Sequence, residues 1–195
     1  AIESAIRPET KGIYLETPSN PLLKVTDLRG AADIAHRHGI ITLVDNTFMT
    51  PYLQRPLELG CDIVLHSGTK FLNGHSDVIC GFAVVRDTGL GQRIRYIQNA
   101  FGTGLGPQDS FLTLRGIKTL KVRMDQSQLN TLKIVTWLKQ HPRVSAVHYP
   151  GLPEHPGHDI HNAQADGPGA VFSFELDSYD TTKRLLENSH LAAFA

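Results

Sequence analysis

The chain has 195 residues, 41% of them hydrophobic, and its 19 basic and 19 acidic side chains give a formal net charge of zero. It has no basic block and no stripe of basic and aromatic residues, so we expect no nucleic-acid partner. No apolar run approaches the ~18 residues of a membrane span and no signal peptide is recognised, so we expect no membrane association and a cytoplasmic location. The only cysteines, Cys61 and Cys80, are isolated, which agrees with a reducing compartment.

The beginning of the chain is predicted to alternate between helix and strand. Residues 1–6 resemble the end of a helix, and residues 12–16 form a short strand that stops at a loop with two prolines. This loop presents Asn20. Residues 28–38 have apolar side chains at helical spacing, with Thr26 as the predicted N-cap and Gly39 as the stop. A strand, a loop and a crossover helix are therefore expected in this order.

Two further strands, at residues 40–44 and 62–65, are short continuous apolar runs, which are typical of parallel strands buried on both faces. Residues 54–60 lie between them and are predicted to form a second crossover. Residues 80–85 form another strand, but the segment before it has no helical period. We therefore predict that this strand returns antiparallel.

The second half of the chain begins with a helical spacing that extends from residue 107 to about residue 141 and predicts one long helix. Strands at residues 144–149 and 170–176 and a helix at residues 181–188 follow. The predicted class is α/β, with a mostly parallel sheet in a large domain (1–106), a linking helix region (107–142) and the beginning of a smaller C-terminal α/β domain (143–195). Because neither terminal element is complete, we interpret the chain as an internal part of a longer protein.

A carboxylate and an amine follow two strands that are predicted to be neighbours. Asp45 comes after the strand at 40–44, and Lys70 comes shortly after the strand at 62–65. Ligands of open parallel sheets bind outside the carboxyl ends of the strands, which are about 4.8 Å apart. A pyridine ring with a carbonyl para to its nitrogen fits this gap, because the carboxylate keeps the ring nitrogen protonated and the amine forms a Schiff base with the carbonyl.

Three other polar side chains extend this predicted site. The hydroxyls of Ser67 and Thr69 can donate to a phosphate ester, and the amide of Asn20 can donate to a phenolate oxygen of the ring. A pyridinium, a carbonyl, a phenolate and a phosphate together specify pyridoxal 5'-phosphate (PLP). The sequence therefore predicts PLP as the cofactor.

These and neighbouring residues also allow other interpretations. Lys70 alone could be a solvated charge and Asp45 alone a helix cap, and Asn20 and Thr47 could be ordinary turn residues. Glycines 102, 104 and 106 resemble a dinucleotide loop, but Pro107 takes the place of the last glycine and no strand leads in. Histidines 148, 155, 158 and 161 lie in turn-like surroundings without a nearby cysteine, so we predict surface histidines and no metal site. Arg115 is predicted to have a structural role.

Six segments of the chain follow the pattern of one enzyme family. They are Glu16-Thr17-Pro18-Ser19-Asn20-Pro21, Val44-Asp45-Asn46-Thr47-Phe48, Gln54-Arg55-Pro56-Leu57-Glu58-Leu59-Gly60, Ser67-Gly68-Thr69-Lys70-Phe71, Asn73-Gly74-His75-Ser76-Asp77-Val78 and Leu114-Arg115-Gly116-Ile117-Lys118-Thr119-Leu120. On these segments the chain resembles the trans-sulfuration, or Cys/Met metabolism, family of PLP-dependent enzymes. The resemblance covers essentially the whole chain.

The resemblance implies the fold-type I architecture of PLP enzymes and a role for each predicted site residue. It implies the Schiff-base lysine at Lys70, the pyridinium partner at Asp45, phosphate ligands at Ser67 and Thr69, a cofactor-ring contact at Asn20, and a residue close to the ring at Thr47. Family members are close to twice this length and form homotetramers, built as dimers of dimers, with active sites shared between subunits. Residues 1–195 alone are therefore expected to be inactive.

The resemblance also implies a carbon–sulfur lyase of sulfur amino-acid metabolism. The segments at residues 22–28 and 106–110 are more similar to bacterial cystathionine β-lyases, which convert cystathionine to homocysteine, pyruvate and ammonia. Cystathionine γ-synthase or O-acetylhomoserine sulfhydrylase (γ-replacement) and cystathionine γ-lyase are the alternatives, and the β-lyase and γ-synthase share every site residue named above. A non-enzymatic alternative is an inactive structural fragment of such an enzyme.

Overall fold

The computed structural model describes residues 1–191 and has a four-stranded mixed sheet in its first half. The strands lie side by side in the same order as they occur along the chain. They are β1 (Gly12–Glu16), β2 (Ile41–Asp45), β3 (Ile63–Ser67) and β4 (Gly81–Val85). β1 and β3 pair parallel with β2, and β4 pairs antiparallel with β3, which confirms the predicted directions. At the carboxyl end, β2 continues one residue and β3 two residues beyond the predicted end of the strand. Asp45 and Ser67 are therefore the last residues of these strands.

The predicted crossover helix between β1 and β2 is α2 (Leu28–Arg37). Its buried residues are Leu28, Ala31, Ala32 and Ala35. This face packs against Leu15 of β1 and Val44 of β2. Burial of a leucine side chain contributes about 1.5–3 kcal/mol, and the small alanines let the helix lie close to the sheet. The packing supports the two strands directly beneath the predicted site.

The N-terminus of α2 differs from the prediction by one residue. The Asp27 side chain accepts the Gly30 N–H at 3.0 Å, which is a regular N-cap bond. The prediction of Thr26 as the cap was wrong, because the Thr26 N–H donates to the Thr17 hydroxyl at 3.0 Å and belongs to the preceding loop. Asp27 satisfies an amide that the first helical turn leaves free.

Shorter helical segments flank the other strands. α1 (Ile2–Ala5) precedes β1, and α3 (Thr50–Leu53) with a 3-10 turn at Pro56–Leu59 forms the second crossover. α4 (Thr88–Phe101) follows β4 and was not predicted from the sequence. It ends at Gly102, whose φ of +70° is a left-handed helix-stop conformation. Gly102 thus ends a helix and does not open a dinucleotide loop.

The single long helix predicted from residue 107 onward is two helices, α5 (Pro107–Ile117) and α6 (Leu120–Lys139). The prediction was wrong at residues 118 and 119. The Gly116 carbonyl accepts from the Thr119 N–H at 3.1 Å and from the Thr119 hydroxyl at 3.0 Å. Because this carbonyl is bound by Thr119, it does not continue the regular helical ladder.

A second sheet follows α6 and has two antiparallel strands, β5 (Val144–His148) and β6 (Ser173–Leu176). α7 (His158–Gln164) lies between these strands in sequence, and α8 (Tyr179–Glu187) follows them. The strands and α8 agree with the predicted α/β unit, whereas α7 was not predicted. The domain boundaries stay a prediction, and residues 192–195 of the predicted C-terminal domain lie outside the described residues.

His161, on α7, is fully buried, so the prediction of four surface histidines was wrong at this position. Its Nε2 donates to the Gly167 carbonyl at 3.0 Å, and burial lowers its pKa. Among residues 1–191, no group of three or more histidine, cysteine, aspartate or glutamate side chains could hold a metal ion. None of the helices in this range is both long enough and apolar enough to cross a membrane.

Candidate active site

Asp45, at the end of β2, has a hydrogen bond to each of its carboxylate oxygens. The Thr47 backbone N–H donates to Oδ1 at 2.9 Å, and the Tyr14 hydroxyl donates to Oδ2 at 3.3 Å. In the sheet register, Asp45 lies beside Glu16 of β1 and Leu65 of β3. A carboxylate has further lone pairs that can accept from one more N–H group. The predicted pyridinium partner is therefore held in a fixed orientation with acceptor capacity left.

Thr47 connects the ends of β2 and β3. Its hydroxyl oxygen accepts the backbone N–H of Ser67 at 2.8 Å, while its own N–H binds Asp45. Both bonds are within the usual range for N–H···O bonds. One threonine thus fixes the last residue of each strand relative to the other.

The segment after β3 approaches β4 closely. An added Cβ at Gly68 would lie 2.5 Å from Cys80 Sγ, so only glycine fits there. The Thr69 N–H donates to the Cys80 carbonyl at 3.2 Å, and the Thr69 hydroxyl accepts the Cys80 N–H at 3.0 Å. The hydroxyl also donates to the Cys80 carbonyl at 3.3 Å, which is long for an O–H···O bond. Its hydrogen can therefore turn toward an anion at little cost.

Lys70 lies in a π-helical turn, Gly68–Leu72, directly after β3. Lys70 itself interrupts the helical geometry of this turn, because its φ of −81° and ψ of −119° are not helical values. The side chain is exposed, and it forms no ion pair with any residue in the range 1–191. The amine is therefore available to a ligand.

Lys70 lines an open cavity of about 1160 Å³. Asn20, Phe48, Thr69 and Arg123 are among the other lining residues. Small-molecule sites commonly measure about 300–1,000 Å³, so this cavity has room for a cofactor together with a substrate.

Asn20 reaches the cavity from the loop after β1. Inside this loop, the Ser19 N–H donates to the Lys24 carbonyl at 3.0 Å. The Ser173 hydroxyl, on β6, donates to the Pro21 carbonyl at 2.5 Å. The loop is thus held both by itself and by the second sheet, which gives Asn20 a defined place at the cavity.

The six residues predicted from the sequence form two groups in the structure. The first group is connected by hydrogen bonds at the ends of β2 and β3 and consists of Asp45, Thr47 and Ser67. The second group lines the cavity and consists of Asn20, Thr69 and Lys70. The two groups are adjacent because residues 67–70 are consecutive. The role of each residue toward the cofactor stays a prediction.

Sequence reasoning missed Tyr14, Phe48 and Arg123. Tyr14 lies inside a strand and Arg123 inside a helix, where nothing in the local sequence distinguishes them from ordinary members of those elements. Phe48 lies three positions after Asp45, and this proximity is a signal that could have found it. Partial burial, followed by the charge of Asp45, raises the pKa of Tyr14, and a phenol is already protonated at neutral pH, so its hydroxyl can donate to Asp45.

The residues present fit PLP. Asp45 offers an oriented acceptor for a ring N–H, and Lys70 offers an exposed amine at the cavity. Ser67, the last residue of β3, and Thr69, in the turn that follows, bring two hydroxyl groups to either side of Gly68 in the chain. A carboxylate, an amine and hydroxyl donors are the groups that PLP binding requires.

The chain is similar to known proteins over its whole length. The family described as "Cys/Met metabolism PLP-dependent enzyme" matches residues 1–195. The chain is 52% identical over 194 residues to cystathionine beta-lyase MetC and 50% identical over 194 residues to cystathionine gamma-lyase, both of Bacillus subtilis (strain 168). These alignments cover 100% of this chain and 50% and 51% of the two relatives.

A solved structure is similar throughout the chain. It is cystathionine gamma-lyase from Lactobacillus plantarum complexed with L-serine, with a TM-score of 0.97 and 48% identity, covering 100% of this chain and 51% of that one. The fold is therefore that of fold-type I PLP enzymes. The chain belongs to the Cys/Met metabolism family of PLP-dependent enzymes. It spans about half the length of the curated relatives it matches.

Proposed function

We propose that this chain carries the PLP-binding centre of an enzyme that cleaves carbon–sulfur bonds in sulfur amino acids. One observation carries the proposal: the exposed amine of Lys70 lines a large cavity, directly after the strand that neighbours the one ending in the oriented Asp45 carboxylate. Because the chain spans half of its relatives, we also propose that it is part of a longer polypeptide. The cleavage of carbon–sulfur bonds is proposed for that complete polypeptide.

Asp45 is proposed to keep a proton on the ring nitrogen of the cofactor. PLP, when bound, supplies a ring that accepts electron density from the α-carbon of an amino acid, and it does so best when this nitrogen is protonated. The hydrogen bonds from Thr47 and Tyr14 hold the carboxylate in place for that proton. Tyr14 and Thr47 therefore act through Asp45.

Lys70 is proposed to have two tasks. Its amine would hold the cofactor at its aldehyde carbon and, with a substrate amine in that place, would take the proton from the substrate α-carbon. The leaving sulfur atom departs with the electron pair of its bond to carbon. A general base has to lie within hydrogen-bond reach of the proton it takes, so the place of Lys70 at the cavity is essential to the proposal.

Ser67, Thr69 and Asn20 are proposed to bind and orient the cofactor. The hydroxyls of Ser67 and Thr69 donate to its phosphate, and the Asn20 amide contacts the ring. Ser67 and Thr69 flank Gly68, where an added Cβ would lie 2.5 Å from Cys80 Sγ, so the backbone between them runs close to the start of β4. A fixed ring in turn fixes the substrate carbon relative to the Lys70 amine, which is what rate acceleration by orientation requires.

We propose cystathionine β-elimination as the reaction, in which cystathionine and one water molecule give homocysteine, pyruvate and ammonia. The support is the greater similarity of residues 22–28 and 106–110 to bacterial β-lyases. The alternatives remain cystathionine γ-lyase, cystathionine γ-synthase and O-acetylhomoserine sulfhydrylase, since identities of 52% to a β-lyase and 50% to a γ-lyase do not separate them.

Product analysis tests the choice. The complete polypeptide, loaded with PLP, is incubated with cystathionine, and the keto acid is identified by mass spectrometry. A β-lyase gives pyruvate with homocysteine, whereas a γ-lyase gives 2-oxobutyrate with cysteine. Formation of cystathionine from cysteine and an activated homoserine would favour the γ-synthase instead. No conversion of any sulfur amino acid would contradict the proposed function.

We also propose a homotetramer, a dimer of dimers with shared active sites. Its support is the exposure of large apolar side chains on α4, α5 and α6: Tyr96, Phe101, Phe111, Leu114, Leu129 and Leu132. Exposed apolar surface of this kind commonly marks subunit interfaces. Light scattering on the complete polypeptide tests the subunit number. A cytoplasmic location stays a prediction.

The non-enzymatic alternative is a fragment that keeps the scaffold but not the activity. Residues 1–195 expressed alone are expected to be inactive, because residues supplied by other segments and by the neighbouring subunit would be missing. The test measures the turnover of cystathionine by residues 1–195 and by the complete polypeptide, both with added PLP. A soluble fragment with as much as about a tenth of the complete turnover would contradict a shared active site.

A further inference from the structure

Arg123, on α6, binds the last carbonyl groups of the π-helical turn Gly68–Leu72. Its Nη1 donates to the Phe71 carbonyl at 2.7 Å, and its Nη2 lies 3.5 Å from the Leu72 carbonyl. Nη2 also donates to the Gly116 carbonyl and Nε to the Thr119 hydroxyl, both at 3.0 Å. One side chain thus joins the turn to the junction between α5 and α6.

These contacts satisfy carbonyls that the turn leaves free. Inside the turn, the Gly68 carbonyl accepts from the Asn73 N–H and the Lys70 carbonyl from the Gly74 N–H, both at 2.8 Å. The carbonyls of residues 71 and 72 follow, at the end of the turn, where helical carbonyls generally lack internal partners. Arg123 supplies the missing donors at this end.

Two glycines make room for the arrangement. An added Cβ at Gly74, whose φ is +71°, would lie 2.1 Å from Nη1 of Arg123. An added Cβ at Gly116 would lie 2.1 Å from the Asn73 carbonyl oxygen. A side chain at either position would displace the guanidinium group or the loop. The guanidinium is therefore part of a close-packed contact, and burial lowers its pKa.

Arg123 also lines the cavity, so direct binding of an anionic ligand has to be considered. A guanidinium group has five N–H donors. Four donor contacts go to protein acceptors in this structure. An anion in the cavity would have to replace some of these bonds, so a role in placing the turn is favoured over a role as an anion ligand.

We propose that Arg123 is a positioning residue for Lys70. The inference rests on the proposed function, in which the Lys70 amine binds the cofactor and moves a proton at the substrate carbon. The first half of the turn is held by the bonds between Thr69 and Cys80, and the second half is held by Arg123. Without the guanidinium, residues 70–72 lose their fixed place, and a displacement of about 1 Å at such a group can reduce the rate ~100-fold.

Lysine is not an adequate substitute at this position. The planar guanidinium reaches two successive carbonyls and the α5–α6 junction at once, whereas an ammonium group is a single point of donation. Arg123→Lys keeps the charge and most of the stem, and it is expected to restore only part of what Arg123→Met removes. The pair of variants therefore separates the donor geometry from the charge.

The test uses the complete polypeptide, with Arg29→Met as a matched control on the exposed surface of α2. The first readout does not depend on turnover: cofactor-free protein is mixed with PLP, trapped with borohydride at intervals, and the rate of pyridoxyl attachment to Lys70 is measured by peptide mapping. We expect Arg123→Met to slow this capture more than about tenfold and Arg123→Lys to slow it less, with Arg29→Met unchanged. The second readout is steady-state kinetics, where kcat should fall ~100-fold while KM stays within about threefold.

A folded Arg123→Met variant that captures PLP within about twofold of the wild-type rate would overturn the inference, and a lowered unfolding midpoint with unchanged capture would do the same. If the Met variant does not fold, Arg123→Lys decides, because capture at the wild-type rate contradicts a positioning role. If wild-type protein captures PLP on Lys70 but cleaves no sulfur amino acid, the proposed function fails while the capture rates still test Arg123.

Discussion

The backbone N–H of Ser67 donates to the side-chain oxygen of Thr47 at 2.8 Å, across the ends of two parallel strands. Because the Thr47 N–H also binds Asp45, this contact relates the proposed pyridinium partner to the turn that carries the lysine. Two hydrogen bonds from backbone N–H groups to side-chain oxygens therefore connect the proposed pyridinium partner with the residue that precedes this turn.

Thr47→Val should remove the acceptor for the Ser67 N–H while keeping the shape of the side chain. A half-buried amide left without a partner costs about 1 kcal/mol or more, so we expect the free energy of unfolding to fall by roughly that amount. Urea unfolding measures it. Thr47→Ser keeps the hydroxyl and is the control, and equal stability of the Val and Ser variants would contradict the proposed connection.

Asp45→Asn should preserve the fold but reduce turnover by more than ~100-fold, because a neutral amide no longer favours the protonated ring nitrogen, and each tenfold corresponds to about 1.4 kcal/mol. Circular dichroism checks the fold and steady-state kinetics give kcat. Turnover within about threefold of wild type would mean that Asp45 only orders the turn after β2.

Gly116→Ala should destabilise the protein, whereas Gly104→Ala should not. The added Cβ at Gly116 would lie 2.1 Å from the Asn73 carbonyl oxygen, while nothing lies within 4 Å of the corresponding point at Gly104. Overpacking of this kind typically costs about 1–3 kcal/mol. Thermal unfolding of both variants makes the comparison, and equal midpoints would mean that the loop after the Lys70 turn is not packed against α5.

Asp62 should give the fold a measurable acid sensitivity. Its carboxylate accepts from the Thr42 N–H at 2.8 Å and from the Thr42 hydroxyl at 2.9 Å, and His36 Nε2 is 3.2 Å away. Burial acts to raise the pKa of Asp62, but the hydrogen bonds from Thr42 and His36 outweigh it and hold the pKa below the usual 3.8.

Since the folded pKa of Asp62 is the lower one, its contribution to stability is complete above pH 3.8 and is lost as the pH falls through the folded pKa. The wild-type protein should therefore unfold at a higher temperature than Asp62→Asn near neutral pH. This difference should shrink in acid. A difference that stays constant from neutral to acidic pH would show that the charge of Asp62 contributes nothing.

The strand pattern and the site motif were readable from the sequence because both are local. Continuous apolar runs predicted β2 and β3 to within two residues. Asp45 and Lys70 were predicted as site residues because they follow these runs. The lack of a helical period in the connection before β4 was enough to predict its antiparallel direction, since a parallel return needs a crossover that is usually helical.

Several features that the sequence did not predict depend on specific contacts. The break between α5 and α6 lies where the Gly116 carbonyl is bound by Thr119 and by Arg123, and a single glycine inside a helical pattern does not by itself predict a break. Arg123 acquires its place through residues about fifty positions away. His161 is buried and binds the Gly167 carbonyl, which its own short segment does not reveal. Tertiary packing overrode the local pattern at Arg123 and His161.

The central claim is that Lys70 is the residue that binds the cofactor, and borohydride reduction of the PLP-loaded complete polypeptide tests it most directly. After reduction and proteolysis, peptide mapping by mass spectrometry locates the pyridoxyl group. The account predicts a single modified peptide that contains Lys70, and no modification of that peptide in Lys70→Ala. A pyridoxyl group on Lys11 or Lys118, or on no lysine of this chain, would contradict it.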